Sequence, residues 1–549
     1  MHFPILKTLF VGAALLSAPS RAETPAASDL IEAALEALGG REALEALSGV
    51  IYEYPDILRI NSLNQNYNLI TSDRWIVSKG AQNISYSYDG TSDIKQRIDR
   101  DFQRSDYFYF IDSTLPSGSF SLVVRGGDDG FSCYVEGNNG IFYPADEVAG
   151  YNDAALTEFL VLSGQKLSPT LLLEVEGHDP SVTTVQIGEA EYPAVKDDIL
   201  GLVVAFGEDS RPTIVRSFEE HAIFGNSTSD LLLLNYNVTD GLWFPHRQIV
   251  MYNDVSLLEE ATVASVKVKP AFAGDFFDGL GSNETETGPA APEAVEGYSH
   301  AEIYEFWTNL IWSGLYRGTF NGLTVSHPAE DLPNAHHVVV EEIGDYSQMI
   351  LEFEDSLIVF EAPPHQTDLI IEYVHEVLGK NITHYWPSHH HHDHNYDGGK
   401  LIALGAKVII PEVAAEYWGT IPGADLITFT EDEPYIHSDS KMQARFLWRP
   451  DQPHCVDWTY AIVTARCPTE HSSIIAYEGD AWQTDRSADA NVAFRWVQQA
   501  SLDGLSRDAI VVPTHGTPGK FDRAIMEIGY PYPNYGILDF KTGGPLCLD

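Results

Sequence analysis

Four side chains able to bind a metal ion fall within six residues of this chain. His389, His391, Asp393 and His394 spell H-x-H-x-D-H inside the run from Ser388 to Gly399. Imidazole nitrogens and carboxylate oxygens together suit zinc or another first-row divalent ion. His390 and His392 alternate with these ligands and are read as pointing away, as supporting donors or solvated side chains. The run follows an apolar segment, Ile382 to Trp386, that reads as a strand, and it precedes Gly398-Gly399 and a helix-like stretch. Ligands at the C-terminal mouth of a strand are where open α/β architectures place their chemistry.

Strands and helices alternate around that run. His337 to Glu341 and Met349 to Phe353 read as strands, with Leu357 to Phe360 as a hairpin partner across Glu354-Asp-Ser. A helix from about Asp368 to Leu378 gathers Leu369, Ile370, Tyr373, Val374 and Val377 on one face, and Gly379 stops it. A helix near Lys400–Leu404 and strands near Lys407–Ile410, Thr459–Ala465, Ser473–Tyr477 and Ala509–Val512 follow. Two β layers covered by helices is the simplest architecture for this order.

With H-x-H-x-D-H at a strand end, residues 336 to 516 resemble the metallo-β-lactamase superfamily. The resemblance implies a four-layer αβ/βα sandwich in the C-terminal part of the chain, spanning about 336–530. It also implies a later His, an Asp ending a strand and a final His ending another. Pro453-His454-Cys455, Tyr477-Glu-Gly-Asp480 and Val512-Pro-Thr-His515-Gly516 stand in that order, at intervals of 60, 26 and 35 residues from His394 onward. His471 lies only nine residues before Asp480, too few for the expected strand pair, so His454 is the better match. By the same resemblance His389, His391 and His454 hold one metal, Asp393, His394 and His515 face a second, and Asp480 bridges them. Asp393 also orients the nucleophile. Glu361, in Glu361-Ala-Pro-Pro364, stands where the family more usually has Asp. Asn395-Tyr396-Asp397 supplies three residues before the glycine pair where the family usually has one, which places Tyr396 near the site, with packing as its expected role.

The cofactors implied are two divalent ions, zinc ahead of manganese or iron(II). Such ions lower the pKa of a bound water to about 7 and make a nucleophile at neutral pH. The reading that follows is an exported binuclear hydrolase of a small-molecule substrate, attacking an ester-like carbonyl in an ester, lactone, thioester or β-lactam. Two alternatives stand beside it. One is a protein that binds a hydrophobic ligand and carries a vestigial metal domain. The other is an iron-dependent oxidoreductase on the same ligand frame. Fold alone does not choose among them.

The whole chain narrows the partners. Its 549 residues exceed one ordinary domain, and 80 acidic against 32 basic residues give a formal charge of −48. Nucleic-acid binding is excluded in practice, because phosphate contacts need a basic footprint. The acidity also fits a saline environment, where counterions screen self-repulsion. Residues 1–22 read as a signal peptide, with Lys7, an apolar run from Leu9 to Leu16 and Ser20-Arg21-Ala22. No stretch is long enough to span a bilayer as a helix. Cys133, Cys455, Cys467 and Cys547 permit disulfides in an oxidising compartment; Cys455 and Cys467 flank one strand-like segment, but the pairing and the oligomeric state stay open.

Residues 23–280 read as a mainly antiparallel β domain opened by a helix that Ser28 can cap and Gly39-Gly40 ends. Short apolar segments such as 68–71, Phe120 to Val124 and Leu231 to Val238 recur between turns. Residues 236–276 resemble the closing strands of periplasmic lipoprotein-carrier proteins, which implies a concave apolar sheet. A linker is expected at 281–297, a helical connection at 298–335 around Ile303, Phe306, Trp307, Leu310 and Ile311, and a C-terminal tail at 531–549.

Overall fold

The computed structural model describes residues 25–55, 57–61, 66–67, 71–72, 75–88, 94–104, 120–125, 132–137, 149–151, 154–277, 318–341, 346–364, 366–483 and 490–547. The expected signal segment, the 281–297 linker and the Ile303–Ile311 helix lie outside these residues. The described chain is mixed α/β with several sheets, mostly strands, and none of its helices is long and apolar enough to cross a membrane.

The first helix, Ala27–Leu38, buries Ile31, Ala34, Leu35 and Leu38. It starts one residue before the expected Ser28 cap, and Asp29 instead accepts from the Ala26 amide at 3.3 Å. Gly39, at φ 121°, ends it in a backbone region that favours glycine. A large sheet follows in which every pairing is antiparallel. Its longest hairpin joins Gly225–Thr239 to Leu242–Tyr252. Helices Ala154–Leu167 and Leu171–Glu176 share a core with the first helix and with Tyr52, Tyr86 and Phe244 of the sheet. Tyr86 satisfies its buried hydroxyl by donating to the Gly164 carbonyl (2.9 Å) and accepting from Gln96 Nε2 (2.8 Å).

Two further sheets carry the candidate site. One runs in chain order Leu323–Ser326, Ala335–Val340, Ser347–Glu352, Leu357–Phe360, His384–Trp386, Lys407–Pro411 and Asp425–Phe429. Its pairings turn from antiparallel to parallel at Leu357–Phe360. A parallel neighbour needs a crossover, and the helices Thr367–Glu376 and Gly398–Ala403 supply two. The other sheet runs Tyr435–Ser438, Met442–Trp448, Thr459–Ala465, Ile474–Glu478, Ile510–Pro513 and Gly519–Lys520. The helix Ala490–Asp503 makes its one parallel crossover.

Period-two alternation sorts the strand residues between cores. Ile358, Phe360, Ile475, Tyr477 and Val512 share one cluster drawn from both sheets. Their neighbours Leu357 and Val359 pack with Ile370 and Val374 of one helix. On the second sheet, Ile474, Ala476 and Val511 pack with Trp496, Val497 and Ala524 of two others.

Two expectations change, and the open cysteine pairing closes. The sheet that leads into the histidine run begins before residue 336, because Leu323–Ser326 pairs with Ala335–Val340; the described part of the expected helical connection includes a 3-10 turn, Phe320–Gly322, and this strand. Residues 531–547 are not a loose tail, since Tyr532, Ile537, Phe540 and Leu546 complete an apolar core and Arg445 donates to the Thr542 and Gly544 carbonyls (2.9 and 2.8 Å). Cys467 pairs with Cys547, and Cys455 is buried outside that disulfide. The disulfide closes a loop with a sequence separation of 80. Replacing both of its cysteines by serine should cost about 4 kcal/mol by loop-closure entropy, read as a lower urea midpoint under non-reducing conditions.

Candidate metal centre

Sheet register brings the strand ends that carry the candidate ligands to one edge. Phe360 pairs in parallel with Trp386, just before Glu361 and the histidine run. Tyr460 opposes Glu478 in the antiparallel direction, so His454 before one strand meets Asp480 after the other. Glu478 pairs in parallel with Pro513, which delivers His515 beside Asp480. The run itself turns into a one-turn helix, His392–Asn395, that sequence patterning did not reveal. Asn395 clamps it by donating to the His389 carbonyl and accepting from the Tyr385 hydroxyl.

All seven expected ligands converge, in two buried groups of four. One contains His389, His391 and His454 together with Cys455; the other contains Asp393, His394, Asp480 and His515. The imidazoles meet nitrogen to nitrogen, with His454 Nε2 at 3.1 Å from His389 Nε2 and His515 Nε2 at 3.3 Å from His394 Nε2. Two ligand nitrogens on one tetrahedral zinc, each 2.0–2.1 Å from the ion, stand about 3.3 Å apart. Asp480 lies between the groups. Its Oδ2 is 3.2 and 3.7 Å from His454 and His389 Nε2 and 3.0 Å from His394 Nε2, while Oδ1 is 3.1 Å from His515 Nε2. Asp393 Oδ2 stands 3.5 Å from His515 Nε2 and 3.6 Å from His394 Nε2. Such convergence of ligand atoms, with Asp480 lying between the groups, fits metal binding.

Electrostatics match that geometry. Burial pushes His389 well below the usual imidazole range, and His394, His391 and His454 add to the effect. Burial opposes ionisation of Asp480, yet His394 and His515 hold it well below the usual carboxylate range. Neutral imidazole and ionised carboxylate are the forms that ligate. His394 differs: burial would lower it, but Asp480 and Asp393 hold it well above the imidazole range.

The supporting contacts are equally specific. Ser388 Oγ lies 2.8 Å from His389 Nδ1, leaving Nε2 turned to the centre. Glu478 accepts from the Ala481 and Trp482 amides (2.7 and 3.2 Å), and burial raises its pKa well above the carboxylate range. That turn sets Asp480 at φ 45°. A Cβ on Gly479 would overlap Ser388 Oγ, which accounts for the glycine there. The two intervening histidines are buried rather than solvated: His390 Nδ1 is 2.7 Å from Asp457 Oδ1, and His392 Nε2 is 2.7 Å from the Tyr417 hydroxyl. Sequence patterning singled out neither Asp457 nor Tyr417.

Glu361 proves to be a support for His394. Fully buried at φ 63°, it accepts from the Ser388 amide (3.1 Å) and the Thr514 hydroxyl (3.2 Å), and its Oε1 sits 3.4 Å from His394 Nδ1. A carboxylate behind a ligating imidazole fixes its tautomer and raises its basicity. Glu361→Gln should therefore weaken metal retention roughly 10–100-fold, measured by competition with a chromogenic chelator.

No protein-family model matches this chain, and no curated protein matches it. Solved structures similar to part of it include a metallo-β-lactamase from Pontibacter korlensis (14% identity, 38% of this chain and 97% of that one, TM-score 0.29). Another is a B3 metallo-β-lactamase described as having an active-site glutamic acid (16% identity, 36% and 83%, TM-score 0.28). A third is a metallo-β-lactamase with a HARLDQ motif from Cronobacter sakazakii (14% identity, 36% and 74%, TM-score 0.27).

Proposed function

We propose that this chain is an exported, two-metal hydrolase whose C-terminal part adopts the four-layer αβ/βα metallo-β-lactamase arrangement. The observation that carries this reading is the pair of adjacent buried ligand groups with Asp480 in one and within 3.2 Å of His454 in the other, with nitrogen–nitrogen separations of 3.1 and 3.3 Å that fit the edge of a metal tetrahedron. His389, His391 and His454 would hold one ion and Asp393, His394 and His515 the other, with Asp480 common to both. Zinc suits this imidazole-rich set best. When bound, two such ions supply an activated water at neutral pH and electrophilic assistance to a carbonyl.

The protein's own groups do the rest. Asp393, ionised because His394 and His515 outweigh its burial, offers an acceptor that orients the nucleophile and can take its proton. Glu361 keeps His394 aligned. Phe360, Trp386 and Tyr477 pack in the apolar core beneath these strand ends. The Cys467–Cys547 bridge supports export to an oxidising compartment.

A hydrophobic-carrier role would instead use the first domain, where Leu38, Leu44, Leu171, Leu172, Leu233 and Phe244 line a cavity of about 40 Å³.

Metal analysis with anomalous scattering, followed by a screen of chromogenic esters, lactones, thioesters, cephalosporins and phosphodiesters with zinc or manganese, tests the proposal. Two bound zincs and metal-dependent turnover of a carbonyl substrate are expected. One iron per chain would favour the oxidoreductase, and no metal-dependent turnover would overturn the hydrolase.

A further inference from the structure

The one-turn helix His392–Asn395 carries Asp393 and His394, yet four residues cannot hold a helix by their own hydrogen bonds. Its position must come from what it packs against. On one side lie Asp480 and His515. On the other lies a turn contributed by the large antiparallel sheet, more than 160 residues earlier in the chain.

That turn, residues 221–224, joins the strands Pro212–His221 and Gly225–Thr239. His221 is 2% exposed, and its Nδ1 accepts from the Ile223 and Phe224 amides at 3.1 and 3.2 Å, which locks both ring and turn. The His221 ring meets the rings of Tyr396 and His392 at 5.2 and 5.6 Å, and Phe224 meets His392 at 5.4 Å. His392 and Tyr396, four apart, present one helical face to it. Ile223 is buried in the same apolar cluster as Leu401, Tyr385 and Trp418. The Ala222 carbonyl oxygen would stand 3.4 Å from a Cβ on Gly399, so the turn seats against the glycine pair. Through Tyr396 it therefore contacts the Asn395–Asp397 stretch, where a two-residue extension departs from the pattern the sequence resembles.

We infer that the His221–Phe224 turn is a positioning element for the metal group formed by Asp393, His394, Asp480 and His515. It presses the ligand-bearing helix toward Asp480, so the first domain completes the geometry of the second cation site without touching it. The rings of the turn reach His392 and Tyr396, whereas His389 and His454 are set by a strand end and a separate loop, so losing the turn should weaken the other cation site less. The inference rests on the two-metal reading above.

The test is zinc binding by the full chain, wild type against His221→Ala and the milder Phe224→Leu, after chelation and dialysis. Wild type should take two equivalents. Both variants should keep the first equivalent nearer wild-type affinity and bind the second roughly 10–100-fold more weakly. Phe224→Tyr, which retains the ring, should restore it. Circular dichroism melting of the metal-free proteins identifies a variant that has not folded, for which Phe224→Leu carries the comparison. Variants that retain both equivalents unchanged, or that lose both in parallel, would overturn the positioning role alone. A wild-type chain that takes up no metal would overturn the two-metal reading and this inference with it.

Discussion

Asp480→Asn is expected to be the most damaging isosteric change at the metal centre, lowering turnover on the order of 10²–10³-fold and reducing bound metal below two equivalents. The reason is geometric. Asp480 is the one carboxylate whose oxygens lie within 3.0 to 3.7 Å of His389, His394, His454 and His515 Nε2, so its charge serves both groups. Asparagine keeps the shape and tolerates the φ of 45° better than alanine would. The loss would therefore report on charge rather than backbone strain. Metal content by mass spectrometry and steady-state rates on the same preparation would check it. An Asn variant that retains two metals and full turnover would refute the bridging role.

Asp503→Ala should cost about 3–5 kcal/mol of stability, with the candidate metal groups left in place. Asp503 is 3% exposed and accepts from Arg449, Tyr460 and the Thr542 hydroxyl, while its carbonyl accepts from the Lys541 amide at 3.0 Å. It thus joins the end of one helix, two neighbouring strands of the second sheet and the C-terminal segment. Removing it leaves the Arg449 guanidinium, 8% exposed, without its main counter-charge. Coulombic contacts with Tyr460 and Asp503 now hold Arg449 above its ordinary range against its burial. A melting temperature lower by roughly 10 °C is expected for a domain of this size. The double variant Asp503→Ala/Arg449→Met should recover much of the loss, because a buried charge pair replaced by apolar groups is often neutral. A drop of under a degree in the single variant would place this cluster outside the cooperative core.

Much of the site was legible because its chemistry is local. H-x-H-x-D-H puts four ligands within six residues, and chain geometry keeps them close whatever the fold. His454, Asp480 and His515 could be matched from their order and from the strands beside them. What escaped were the supports. Asp457 behind His390, Tyr417 behind His392 and Glu478 beneath the Asp480 turn carry no spacing signal, since each reaches its partner only through packing. The helix His392–Asn395 was hidden for another reason. One turn is too short for periodicity to register, and histidine is a weak helix former.

The helix boundaries and the C-terminal segment show the same limit. Gly398–Ala403 starts earlier than apolar spacing implied because its two glycines pack closely: a Cβ on Gly398 would meet Tyr385 Oη at 2.9 Å. Residues 531–547 read as a tail in sequence, with Pro531, Pro533, Gly543, Gly544 and Pro545 breaking any regular apolar pattern. They belong to the core because Arg445 and the Cys467–Cys547 bridge fasten them there.

By itself, then, the sequence determined the kinds of ligand, their local spacing and the alternation of strand and helix that carries them. These depend on side-chain chemistry and on periodicities that each segment expresses alone. Tertiary structure decided which distant atoms meet: Asp480 between two groups of histidines, Cys467 with Cys547, and the His221 turn against the ligand helix. Those meetings are set by sheet register and by apolar burial between segments far apart in the chain, and no local pattern encodes either.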